Sequence, residues 1–240
     1  KRAVYALLAR TYLYMGSYQL SLENAEKALA MQNGLIDLNS FASGFSYPVL
    51  IENPEVIFSK TLLNGYVGIP LANDLLSSFE TSDLRYNYYT MAGTNFFPTY
   101  TGRGFGIATY SYTNGINVGV SVPEMYLTAA ECYARLGQTQ KAIDNLNIVR
   151  AKRYKSGQSY QVSASTSKEA LDLVLVERQK EFIGRGFRWF DQKRLNLDPA
   201  YQKTYTRVFK GQTYTLAPNS DGYVFPINQN YIDLNPELGK

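Results

Sequence analysis

A helix–glycine–helix pattern occurs twice in the chain, and the two copies align at a fixed offset of 121 residues. Ala9, Tyr12, Gly16, Tyr18, Ala25 and Ala28 correspond to Ala130, Tyr133, Gly137, Thr139, Leu146 and Val149. In the first copy Val4, Leu7, Leu8 and Tyr12 repeat at helical spacing, Gly16 interrupts them, and a second helix is expected from about Leu20 to Met31. The second copy occupies 123–153. Small residues let paired helices approach closely, and the glycine frees the turn between them. Residues 1–15 already read as mid-helix with no capping residue ahead of them, so the chain is expected to be a fragment with any export signal lost upstream.

This is the grammar of a tetratricopeptide unit. The expected fold class is therefore mainly α: a tetratricopeptide-like helical hairpin scaffold with a loop-rich aromatic insertion containing short strands. One domain is expected over 1–240. The first hairpin takes 1–40, the insertion 41–120, the second hairpin 121–155, and C-terminal helices with an extended tail 165–240. Two hairpins about eighty residues apart can stack only if the segment between them loops out. That segment holds 15 of the chain's 34 aromatics and nine of its 18 glycines, but only eight charged residues. Within it, 54–60 alternates like a strand, 70–79 reads as a helix and 84–91 as a strand. Its neutral, tyrosine-rich character marks it as the part that carries recognition. The bets for ligand contact are Phe97, Tyr100, Arg103, Tyr110 and Tyr112, with Asn95 and Asn114 as hydrogen-bonding partners.

Several chemistries are closed off. There is no histidine and one cysteine, so His-based catalysis, His–metal ligation and any disulfide within the chain are excluded. Cys132 lies on a helix face of Ala and Tyr and reads as core. The net charge of +4 is too weak to argue for nucleic acid. The basic run at 150–158 reads as cations complementing a helix C-terminus. "GRGFG" at 102–106 lacks the spacing of a phosphate loop, and "NSDGY" at 219–223 lacks the remaining ligands of a calcium loop. No metal or cofactor is expected. The tail at 223–238 reads as a short strand stopped by Pro226 and then an extended wrap.

The densest chemistry is "ERQKEFIGRGFRWFDQKR", 177–194. A third long helix is expected over 167–184, with the apolar stripe Leu171, Val174, Leu175 and Phe182. Arg178 occupies the same stripe, where an unpaired charge is very costly to bury. It therefore needs a carboxylate from 181–194. Asp191 is the natural candidate, and Glu181 or Glu177 can complete a network. A glycosidase would also use two carboxylates, but here the surrounding arginines keep the acids ionised and poor at donating protons. Glu177, Arg178, Glu181, Arg188, Trp189, Asp191 and Arg194 are read as a structural clamp, with no catalytic residue among them.

"YLYMGSY", "PEMYLTAAECYARLG", the 177–194 block and the closing "FPINQNYIDLNPEL" together resemble the SusD/RagB family of outer-membrane lipoproteins from Bacteroidetes-type bacteria. The resemblance covers essentially all 240 residues as the C-terminal part of such a protein. It implies a non-catalytic cell-surface protein that captures a nutrient glycan, or a peptide, and passes it to a SusC-like TonB-dependent transporter. It also implies an outer-membrane location through a lipid anchor outside this chain. It carries over no ligand residue. A tetratricopeptide adaptor gripping a protein or peptide, and a glycoside hydrolase, remain the alternatives.

Overall fold

The structure is a computed structural model describing residues 1–41, 48–62, 69–95, 97–106 and 116–239. Along the chain the helices are α1 (Arg2–Tyr14), α2 (Tyr18–Leu29), α3 (Asn73–Leu76), α4 (Arg85–Tyr88), α5 (Val122–Arg135), α6 (Thr139–Arg150), α7 (Ser167–Glu181), α8 (Phe187–Leu195) and α9 (Gln229–Leu234). The strands are β1 (Thr61–Leu62), β2 (Thr90–Ala92), β3 (Arg103–Phe105), β4 (Ile116–Asn117), β5 (Tyr205–Phe209) and β6 (Gln212–Leu216). They form three separate antiparallel pairs: β1 with β4, β2 with β3, and β5 with β6. Among the described residues no helix is long and apolar enough to cross a membrane. The chain divides into two compact units, Lys1–Arg188 and Trp189–Lys240.

In the first unit the repeat is visible down to single hydrogen bonds. Gly16 and Gly137 both adopt left-handed backbone, at φ 74° and 78°. The Gly16 amide donates to the Leu13 carbonyl and the Ser17 amide to that of Tyr12. The Gly137 amide donates to Ala134 and the Gln138 amide to Tyr133, each partner displaced by the same offset. This paired closure of a helix end requires a residue at positive φ, which glycine adopts without strain. Ala9, Ala25 and Ala28 are fully buried, as are Ala130 and Val149 at matching positions. Ser21, equivalent to Ala142, is also buried and donates its hydroxyl to the Ala9 carbonyl. α2 packs on α5, and α7 closes over α5 and α6. α7 starts at a capping box formed by Thr166 and Glu169 and buries Leu171, Val174 and Leu175, as the stripe predicts.

The insertion departs from its sequence reading. Only Val56 of 54–60 makes a strand bridge, to Ser121, and the helix in 70–79 is a single turn. Residues 85–88, expected as strand, are the helical turn α4. The Asp83 carboxylate accepts from the Arg85 amide and opens that turn, and strand begins only at Thr90. β3 is anchored by Phe105, which packs with Ile183, Leu71, Leu75, Phe79 and Val118.

The second unit holds two elements absent from the expectation. β5 and β6 make a hairpin whose two turn residues, Lys210 and Gly211, both have positive φ, the geometry of a two-residue primed turn. In the tail, 223–226 is not a strand, and the Asn228 side chain caps α9 by accepting from the Asn230 amide.

Candidate functional site: an aromatic hairpin beside a buried charge cluster

Residues 93–102 connect β2 to β3 and present the aromatic candidates. The Gly93 amide donates to the Gly102 carbonyl at 2.7 Å, closing the loop at its base. Within it the Phe97 amide donates to Gly93 and the Tyr100 amide to Phe97, each at 2.9 Å. Phe97 stands out from this turn with 55% of its surface exposed, and Asn95 is exposed beside it. The Tyr100 ring lies across Gly93 and Gly102 so closely that a Cβ on either would collide with it. The Tyr100 hydroxyl donates to the Arg103 carbonyl at 3.2 Å. Asn95, Phe97, Tyr100 and Arg103 thus belong to one hairpin. Tyr110, Tyr112 and Asn114 lie outside the described residues.

Arg103 is half-buried, and the protein itself occupies much of its guanidinium. Nε donates to the Thr90 hydroxyl at 2.7 Å, and one terminal nitrogen donates to the carbonyls of Thr90 and Tyr86 at 3.0 and 3.2 Å. The guanidinium carbon sits 4.3 Å from the centre of the Tyr86 ring, a cation–π contact.

Tyr86 follows Arg85 in α4, and Arg85 is wholly buried in a cluster of charges. Arg85 makes two bonds to Asp83, at 2.9 and 2.7 Å, and one each to Glu181 at 3.0 Å and Glu177 at 2.5 Å. Glu177 also accepts from Arg150 at 2.8 Å. Glu181 is gripped by Arg153, which bonds Glu55 at 2.7 Å and the Ile36 carbonyl as well. Lys180 reaches Glu80 at 2.5 Å, and the Tyr154 hydroxyl donates to the same carboxylate at 2.7 Å. Five carboxylates and four cations therefore interlock, and each carboxylate meets at least one cation. Burial raises the Glu181 carboxyl, but Arg153 and Arg85 outweigh it and hold the group at about 2. Burial of Glu80 is likewise overcome by Lys180 and Tyr154, again to about 2. Against desolvation, Asp83, Glu177 and Glu181 hold Arg85, and Glu181 and Glu55 hold Arg153, well above the ordinary guanidinium range.

The expected clamp residues separate into several settings. Glu177 and Glu181 sit in this cluster, and their arginines come from α4 and the end of α6. Arg178 is buried as expected. A carboxylate 3.8 Å from it is Glu131 of α5, a residue the sequence reading does not name. In the second unit Asp191 pairs with Arg194 at 2.9 Å, and Trp189 stacks on Phe225 and tilts against Tyr223. Arg188 is half-buried. The guanidinium donors Arg85, Arg150 and Arg153 were not singled out as partners. Their signal was present: Arg150 and Arg153 lie one turn apart at the end of an apolar helix, and Asp83-x-Arg85 is the only acid–arginine pair in an otherwise neutral stretch.

The SusD family model matches residues 122–240. No curated protein matches the chain in sequence. Among solved structures, a SusD superfamily protein from Bacteroides fragilis is 22% identical with a TM-score of 0.70, over 100% of this chain and 57% of its own. A SusD-like carbohydrate binding protein from Bacteroides vulgatus is 20% identical with a TM-score of 0.67, over 97% of this chain and 57% of its own. A second SusD-like carbohydrate binding protein, from Bacteroides fragilis, is 17% identical with a TM-score of 0.65, over 99% of this chain and 64% of its own. This chain thus spans about three fifths of each of these proteins and shares their fold throughout. Residues 122–240 therefore belong to the SusD/RagB family, and the chain has the fold of the three SusD-like structures.

Proposed function

We propose that this chain is part of a non-catalytic cell-surface protein that captures a nutrient glycan and passes it to a TonB-dependent outer-membrane transporter. The observation that carries the reading is the β2–β3 hairpin, which sets Phe97 and Tyr100 on a turn with exposed Asn95 beside them. Aromatic rings offer an apolar plane to the C–H face of a sugar, while amides and hydroxyls bond its hydroxyl groups. The nearby charges suit a neutral ligand, because the Arg103 guanidinium is engaged by Thr90 and Tyr86. Two of the similar structures are described as SusD-like carbohydrate binding proteins, which supports the same assignment.

A binder is favoured over a hydrolase by the state of the carboxylates. A glycosidase needs one carboxyl kept protonated near neutral pH. Glu177 and Glu181, the closest acidic pair in the 177–194 block, are buried among arginines, and Glu181 is held far below that range. The likeness to SusD-family proteins supports the transporter partner and the surface location as parts of the same proposal.

The test is a glycan and peptide screen on the lipid-anchored full-length protein, followed by purification from membranes in mild detergent. The expected result is binding of a neutral oligosaccharide without shortened products, and co-purification of an outer-membrane barrel. Binding of peptides alone, or cleavage lost on mutating a carboxylate, would replace this reading.

A further inference from the structure

The charge cluster and the aromatic hairpin are joined by a short run of contacts, and each contact fixes the next. Arg85 is held by Asp83, Glu177 and Glu181, so the start of α4 is tied to α7. The next residue, Tyr86, offers its carbonyl and its ring to Arg103. Arg103 then offers its own carbonyl to the Tyr100 hydroxyl. The Tyr100 ring lies on the glycine pair Gly93 and Gly102, where only glycine leaves room for it. The fork of Arg103 points at Thr90 and Tyr86 within the protein, which is the geometry of a strut.

We propose that Arg103 is a positioning residue, and that the run Arg85–Tyr86–Arg103 fixes the Tyr100 ring as the stacking surface for a ligand. This rests on the glycan-binding reading of the hairpin, but its structural half can be tested without any ligand. Preorganisation of this kind improves affinity by removing the ordering cost from the binding step. A residue that touches a sugar contributes differently, through a contact whose strength depends on the sugar's chemistry.

Three variants of the full-length protein separate these roles: Arg103→Lys, Tyr100→Phe and Arg85→Lys. Arg103→Lys keeps the charge and loses both the fork and the flat face that stacks on Tyr86. Hydrogen exchange is expected to accelerate at the Gly93 amide and at 103–106 in Arg103→Lys, with α5 and α6 unchanged. Arg85→Lys is expected to loosen the same hairpin. Should that variant fail to fold, Arg103→Lys alone decides the hairpin's dependence. Tyr100→Phe keeps the ring and removes one hydrogen bond, so affinity for the best glycan from the screen should fall about threefold. Arg103→Lys should weaken neutral and acidic oligosaccharides by the same factor.

Selective loss of acidic oligosaccharides in Arg103→Lys would make the side chain a ligand contact and overturn the proposal. Unchanged exchange across 93–106 in both arginine variants would overturn it too. Accelerated exchange in a protein that binds no glycan would leave the strut standing and remove the glycan-binding reading instead.

Discussion

Arg85 and Arg103 lie eighteen positions apart on the same insertion, and their surroundings differ in kind. Arg85 is wholly buried and surrounded by Asp83, Glu177 and Glu181. Arg103 is half-buried and held by a hydroxyl, two carbonyls and an aromatic face. The depth of burial accounts for the difference. A cation removed from water needs formal negative charge to offset its desolvation, whereas one still touching solvent is satisfied by neutral acceptors. The first site is consequently a structural junction. The second keeps its charge but has much of its hydrogen-bonding capacity taken up within the protein.

The largest effect should come from breaking the deeper of the two sites. Arg85→Ala removes a shared cation from three buried carboxylates, leaving Glu177 with Arg150 and Glu181 with Arg153, and should cost about 3–5 kcal/mol. Arg103→Ala removes neutral hydrogen bonds and one cation–π contact at a half-exposed position and should cost about 1–2 kcal/mol. Urea unfolding of both variants measures the gap. Equal losses would mean that the anionic partners of Arg85 confer nothing beyond ordinary hydrogen bonds.

Acid should act on one site and spare the other. The Glu181 carboxyl is depressed from 4.5 to about 2, so its contribution is fully present above pH 4.5 and is lost as pH falls toward 2. Glu80 shifts in the same direction, with half of its side chain in solvent and a smaller contribution in consequence. Glu181, buried among its arginines, then accounts for the larger share of the loss across that window. The acceptors of Arg103 do not titrate there. Unfolding midpoints should decline between pH 4.5 and 2 in the unmodified protein, and Glu181→Gln should flatten that decline at a lower starting stability. A wild-type profile that stays level down to pH 2 would show that the cluster is not charged as described.

The same contrast governs how much the sequence could disclose. The hairpins were legible because the helical period, the glycine at each turn and the small residues at the contact are local signals. Burial of Arg178 followed from its stripe. The partners of Glu177 and Glu181 were not legible, because they arrive from residues 85, 150 and 153 and depend on how the insertion folds back. Nearness in sequence favoured Arg178, Arg185, Arg188 and Arg194, but the i+4 rule describes the surface of a helix and not its buried face. α4 was read as strand because "YNYY" carries high β propensity; Asp83 and the buried Arg85 impose a helical turn regardless. The β5–β6 hairpin was missed although Lys210–Gly211 sits between two alternating runs, because lysine is an uncommon first residue for such a turn. Aromatic density marks the hairpin as the proposed ligand face, while the engagement of Arg103 within the protein needed three-dimensional contacts.

The smallest effect on stability should accompany a clear effect on binding, and it separates two phenylalanines of the same hairpin region. Phe105 is 1% exposed and packs against Ile183 and Phe79, so Phe105→Ala should cost about 3–5 kcal/mol. Phe97 is exposed at the turn and its amide, not its ring, holds the loop together through Gly93. Removing that ring takes away little buried area and should change stability by no more than about 0.5 kcal/mol. If the turn is the ligand face, the same substitution removes a stacking surface worth about 1 kcal/mol, or roughly five- to tenfold in affinity for the best glycan from the screen. Titration calorimetry on the folded variant reads the second number without interference from the first. Affinity unchanged within twofold would place the ligand elsewhere on the protein, and a large loss of stability would mean that Phe97 belongs to the core of the full-length chain.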